Sequence, residues 1–185
     1  MIVESEEECR EIARTRQWLT QAVIGLNLCP FAKAVAAKGQ IRYALSDAKD
    51  AEALLADLVS ELNHLALVNP SDTDTSLLIH PQAFADFLDF NDFLDLADAA
   101  LVEMKLDGVI QIASFHPDYQ FAESEPEDVA NYTNRSPYPT LHLLREDSVD
   151  RAVDAFPEAE EIYLRNIETL ETLGLDAVRA RVLVE

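Results

Sequence analysis

A single α/β domain is the fold this sequence predicts, with about four strands, mostly parallel, flanked by helices. Three observations lead there. The chain has 185 residues and 20.6 kDa, enough for one buried core, at 49% hydrophobic and 26% charged residues. From residue 41 onward, short apolar runs alternate with amphipathic stretches of helical period, the pattern of parallel strands joined by helical crossovers. No internal repeat and no low-complexity linker interrupts it. The expected division is a helical segment over 1–39, a β-α-β-α-β-loop-β-α core over 40–156, and a helical segment over 157–185.

The elements follow in order. Glu7 to Asn27 reads as helix, with Ile12, Leu19, Ala22, Val23 and Leu26 at helical spacing and Trp18 beside them. Pro30 suits the first turn of a short second helix, and Gly39 suits its end. Ile41 to Ser46 alternates as a strand. Leu54, Leu55, Leu58, Leu62 and Leu65 mark a helix from Asp50 to Leu67, and Asn69-Pro70-Ser71-Asp72 has turn chemistry. Ser76-Leu77-Leu78-Ile79 has the continuous apolar form of a strand buried on both faces.

A long helix then runs to about Leu106 on Phe87, Phe90, Leu94, Ala97, Leu101 and Met104. Its Asp86, Asp89, Asp92, Asp95 and Asp98 recur every third residue, a spacing that drifts around a helix and gives a solvated surface, not a metal-binding face. Val109 to Phe115 is the strongest strand. About two dozen polar residues follow, His116 to Pro139, a length of loop that usually serves function. Thr140 to Arg145 is a fourth strand, free to run either way after so long a loop. Ser148 is placed to cap a helix through Phe156. Glu158 to Leu173 is a helix burying Tyr163, Ile167 and Leu170, ended by Gly174, and a short terminal helix follows.

Charge narrows the function. Fourteen Lys and Arg face 35 Asp and Glu, a net charge of −21. A chain this acidic does not hold nucleic acid or an anionic membrane by bulk attraction. Two cysteines exclude a disulfide-stapled scaffold and a four-thiolate zinc site. The opening Met1–Glu8 has neither a basic n-region nor an apolar h-region, and no apolar run approaches a membrane span. The expectation is therefore a cytoplasmic chain. Bases concentrate near its start: Arg10, Arg14, Arg16, Lys33, Lys38 and Arg42 fall within 9–46, whereas Lys105 is the only base between 50 and 130. The amino-terminal helix is expected to dock on the acidic remainder of its own fold.

Two predicted strands end alike, Ile79-His80-Pro81 and Phe115-His116-Pro117. In a parallel sheet both histidines emerge at the carboxyl edge, where open α/β sheets gather ligands. The long loop adds Tyr119, Asn134 and Arg135, and the fourth strand adds His142 and Arg145. An antiparallel fourth strand brings His142 toward His116, so that imidazoles and guanidiniums line one cleft. In this reading His116 and His142 are the proton-transfer candidates, Arg135 and Arg145 clamp an anionic ligand, and Tyr119 and Asn134 orient it. A zinc site of His80, His116 and His142 lacks the close ligand pairs that such sites show; no metal is assigned, and no cofactor is named.

Cys29 is a second catalytic candidate. Cys29-Pro30-Phe31-Ala32-Lys33 sets a thiol at a helix start with a cation one turn on, both favouring thiolate. The segment is locally similar to the Cys-Pro-Phe/Tyr-Cys of glutaredoxins, with Ala32 where the resolving cysteine would stand. The class that competes with a small-molecule enzyme or ligand-binding domain is an interaction module. It would present the acidic surface of Asp86–Asp98 and the basic first helix to a protein partner.

Three segments have a further likeness: Gly25-Leu26-Asn27-Leu28-Cys29-Pro30-Phe31-Ala32, His116-Pro117-Asp118-Tyr119-Gln120-Phe121, and Asn134-Arg135-Ser136-Pro137-Tyr138-Pro139-Thr140-Leu141-His142-Leu143-Leu144-Arg145. They resemble a bacterial family of this size catalogued only as a domain of unknown function, number fourteen-fifteen. The resemblance implies a single-domain bacterial protein and carries over no activity and no catalytic residues.

Overall fold

The computed structural model describes residues 9–156 and 161–183. The expectations on Met1–Glu8, and the starts of helices at Glu7 and Glu158, lie outside the described residues. The elements are α1 (Arg10–Trp18), a π-helical segment (Leu19–Ile24), α2 (Ala32–Ala37), β1 (Ile41–Leu45), α3 (Ala51–Leu67), β2 (Thr75–Ile79), α4 (Phe87–Glu103) and β3 (Ile110–Phe115). After a 3-10 turn (Val129–Thr133) come β4 (Thr140–Arg145), α5 (Glu146–Asp154), α6 (Ile162–Leu173) and α7 (Leu175–Val182).

Local chemistry explains the boundaries. The Asp50 carboxylate accepts the Ala53 amide and starts α3. Asp86 does the same for α4 through Leu88 and Asp89. Gly39, at φ 69°, supplies the left-handed turn that leads α2 into β1. Gly25 is required for a different reason: a Cβ there would collide with the Gln21 carbonyl oxygen. Two expectations change. Helix α5 begins at Glu146, and Ser148 does not cap it but donates to Asp74 Oδ1 at 2.7 Å. Tyr163 points outward, 51% exposed, leaving Leu170 as the fully buried anchor of α6.

The sheet runs in the order β1-β2-β4-β3. β1 and β2 pair parallel, but β4 pairs antiparallel with both β2 and β3. The pairings are thus mostly antiparallel, against the mostly parallel expectation. The cause is the long loop after β3, which lets β4 return into the gap between β2 and β3 instead of adding at an edge. The sequence of β4 fits that place, because Leu141 and Leu143 are fully buried. All five residues of β2 are buried as well, so the two central strands are the apolar ones.

Helices α3 and α4 cover one face, with Leu54, Leu58, Leu62, Phe90 and Ala97 against Leu78, Ile110, Leu141 and Leu143. The other face carries Ile41, Tyr43 and Phe115, with Trp18, Val23, Leu170 and Val178 packed there from the amino- and carboxyl-terminal helices. One charge sits deep under the first layer. Glu61, on α3 and 1% exposed, accepts two guanidinium bonds from Arg42 (3.0 and 3.2 Å) and one from the Ser76 hydroxyl (2.9 Å). It ties α3 to β1 and β2 at once. Removing one partner of such a buried pair typically costs about 3 kcal/mol. Glu61→Ala should therefore lower the unfolding free energy by about that amount in urea titration, and an unchanged midpoint would show that the triad contributes little.

Candidate functional site

The strand-end histidines, seen from the backbone outward, are held within the fold. His80 is fully buried after β2, its Nδ1 3.3 Å from the Ala83 carbonyl and its ring 5.3 Å from that of Phe90. Its Nε2 has no partner among the described residues. Burial pushes this imidazole down to about 4. His116 stacks on the same Phe90 ring. Its Nδ1 accepts the Asp118 amide at 3.0 Å, so Nε2 carries the proton and donates to the Phe84 carbonyl at 3.1 Å. Burial lowers its pKa too.

The loop residues knit the same region. Arg135 donates to the carbonyls of Tyr119 and Pro126 and lies over the Tyr132 ring at 4.4 Å. Asn134 donates to the Ser114 carbonyl, while its own carbonyl accepts the His116 amide. Tyr119 packs between Phe87 and Phe121. His116, Arg135, Asn134 and Tyr119 are thus brought together, as a framework that shapes the long loop.

His142 is not among them, although β4 runs antiparallel. Side chains alternate along a strand, and Leu141 and Leu143 turn toward α3 and α4, so His142 turns the other way. The expected single cleft therefore divides between the two faces of the sheet. On the second face lies a half-open, mostly apolar cavity of about 1000 Å³ whose lining includes His142, Arg145 and Cys29. Volumes of this order suit a small organic molecule.

Strand register lays out its floor. One row across the sheet is Ile41, Thr75, Leu144 and Gln111, and the next is Tyr43, Leu77, His142 and Ala113. Phe115 lies beyond them toward Trp18, the two rings edge to face at 5.2 Å. Helices α2 and α5 and the π-helical segment supply the walls. The π-turn sets Leu19 and Val23 on the cavity wall, an example of the irregular helical turn that often borders a site.

Polar groups gather beside the Thr75 row. Lys38, Arg145 and Arg151 line the cavity against a single acid, Asp74, a local positive excess on a chain of net charge −21. Asp74 accepts from Ser148, which accepts in turn from Arg151 at 2.9 Å. Lys38 forms no ion pair among the described residues. Arg145 is anchored: its Nη2 donates to the carbonyls of Leu65, Val68 and Thr73, closing the carboxyl end of α3. Its Nε is buried without a partner among the described residues.

His142 has a defined protonation pattern. Thr75 Oγ1 lies 2.6 Å from the Leu143 carbonyl and donates its only proton there. It must then accept from His142 Nε2, 2.7 Å away. Nδ1 is left as a bare acceptor with no protein partner among the described residues, and it is not sealed from the cavity. Protein surrounds the ring, so burial pushes its pKa down to about 4 even though the cavity opens beside it. Cys29 accepts from the amides of Phe31 and Ala32, but burial outweighs both and pushes the thiol above its usual value. The structure therefore gives no support for the resting thiolate that the helix-start position suggests. Among the described residues no three His, Cys, Asp or Glu side chains form a metal-ligand set. No helix among them is long and apolar enough to cross a membrane.

Thr75, Gln111 and Arg151 carry no signal in the sequence, and Lys38 stands out there only as one of the bases near the start of the chain. Thr75 shares parity with Leu77, but only the register to β4 shows that its hydroxyl fixes a histidine.

The chain belongs to the family described as protein of unknown function (DUF1415), whose model matches residues 10–180. No curated protein and no solved structure matches it.

The low histidine pKa values have a thermodynamic consequence. Each group holds its proton less well folded than unfolded, so its stabilisation is present above pH 6.5 and is lost as pH falls toward 4. Each should remove about 2 kcal/mol between pH 7 and pH 5. The rings of His80 and His142 should show no titration above pH 5.5 by NMR, and His142→Leu should flatten the stability slope by one histidine's share. A ring titrating near 6.5 would contradict the burial argument.

Proposed function

We propose that this chain, a member of a family whose description names no activity, is a ligand-binding domain for a small amphipathic organic anion. The ligand lies in the cavity on the second face of the sheet, its charged end beside Lys38 and Arg151 and its apolar body toward Phe115 and Trp18. One observation supports this above the others: a mostly apolar cavity of about 1000 Å³ whose charged lining residues are three bases and one acid, on a strongly acidic chain. Apolar walls supply affinity, and a few fixed polar groups supply orientation. Arg145 contributes its field from a fixed place, while Lys38 and Arg151 reach the ligand's head. His142 stays neutral here and serves as a hydrogen-bond acceptor.

Decanoate and decylammonium test the reading, having the same body and opposite heads. Bulk attraction to an acidic chain favours the cation, whereas the proposed site favours the acid. Decanoate at a hundred times its dissociation constant should add ~2.7 kcal/mol of stability, visible as a raised Tm. Ala113→Phe, which fills the floor beside His142, should abolish that rise, and Lys38→Glu should weaken binding about tenfold, or ~1.4 kcal/mol. Stabilisation by decylammonium alone, or full decanoate binding by Ala113→Phe, would overturn the proposal.

A further inference from the structure

We infer that the ligand carries a hydrogen-bond donor, a hydroxyl in its simplest form, part-way along its apolar body. This rests on the anion-binding reading of the same cavity and names the chemical class of its occupant. Thr75 has one hydroxyl proton, and the 2.6 Å contact with the Leu143 carbonyl uses it. The 2.7 Å contact to His142 must then be bridged by the imidazole's own N–H. What His142 turns toward the cavity is therefore a lone pair. A neutral imidazole has no second proton to offer, and the desolvation around this ring opposes acquiring one.

An aliphatic segment lying across this floor would displace water from Nδ1 and leave a buried acceptor unpaired, a penalty that a donor on the ligand removes. A second carboxylate there would set acceptor against acceptor and is excluded for the same reason. The flanking residues of the row, Leu77 and Ala113, are apolar and have no donor of their own for the ring. The polar groups beside Thr75 lie one row away, two residues along the strand, or ~7 Å. The ligand so specified is an amphipathic acid whose hydroxyl sits several bonds from its carboxylate. Such a molecule is distinguished from its plain aliphatic counterpart by His142 and not by the basic rim.

The experiment compares decanoate with 5-hydroxydecanoate by isothermal titration on wild type and on His142→Leu. The hydroxy acid should bind wild type at least fivefold tighter, and the two acids should bind His142→Leu equally. A second measurement needs no variant. The His142 Nδ1 resonance, that of an unprotonated nitrogen in the free protein, should move on adding 5-hydroxydecanoate and stay nearly fixed with decanoate. Equal wild-type affinities with an unmoved Nδ1 resonance would overturn this inference and leave the anion site standing. Binding of neither acid would remove the anion site, and this inference with it.

Discussion

The insertion of β4 between β2 and β3 is the constraint on which the rest depends. An antiparallel strand at the centre of the sheet has both backbone edges paired, and its side chains serve two cores at once. Leu141 and Leu143 enter the layer under α3 and α4, while His142 between them is turned to the cavity. The same strand ends in Arg145, whose guanidinium gathers the last carbonyls of α3 and the Thr73 carbonyl just before β2. One strand therefore fixes the sheet, anchors the end of a helix 77 to 80 residues earlier in the chain, and presents a polar group of the cavity floor. The bond from His142 to Thr75 crosses the β2–β4 pairing and locks its register on the cavity side. A slip by one residue would send that histidine into the apolar core.

Electrostatics divides along the same boundary. On the α3 face, the buried Glu61 is balanced by Arg42 and Ser76 and has no field left to project. At the rim of the cavity, where β4 ends, Arg145 turns back to the end of α3 and is satisfied through carbonyl oxygens, with no ion pair to a carboxylate among the described residues. Carbonyl dipoles hold a guanidinium without cancelling its charge. A net positive charge beside low-dielectric walls is felt farther than one in water. The acidity of the remaining surface sharpens the contrast, since the cavity becomes a basic exception on an acidic molecule.

Much of the fold was legible from periodicity, because periodicity reports burial. The all-apolar run at β2 and the glycine stops at Gly39 and Gly174 lie where local chemistry demands. The strand order was not legible, because it depends on where a two-dozen-residue loop lets the chain return, and no local pattern records that. The candidate site shows the same limit. His142, Arg145 and Cys29 do line one cavity, yet His116, Arg135, Asn134 and Tyr119 belong to a framework beyond the end of β3, outside that cavity. Both groups hold residue types that serve binding sites, and they look alike in sequence. Only the parity of β4 against β3 separates them, and only hydrogen bonds show that Arg135 is already occupied by loop carbonyls. The helix expected from Glu7 to Asn27 concealed a π-turn for a related reason: i to i+4 and i to i+5 bonding differ little in the pattern they leave on a short segment.

The cavity distributes its polar groups by dielectric. Full charges, Lys38 and Arg151, stand at an exposed margin where water still solvates them, so neither needs a buried counter-ion. The middle of the floor is too desolvated for an ion, and the group there is an imidazole held neutral and oriented by one hydroxyl. The far end has neither, only Trp18, Phe115 and the aliphatic wall of the π-helical segment. A molecule that matches this gradient is charged at one end, hydrogen-bonding without charge at its middle, and apolar beyond. Any other order along its length would strand a charge among aromatic rings or lay a hydrocarbon against a lone pair.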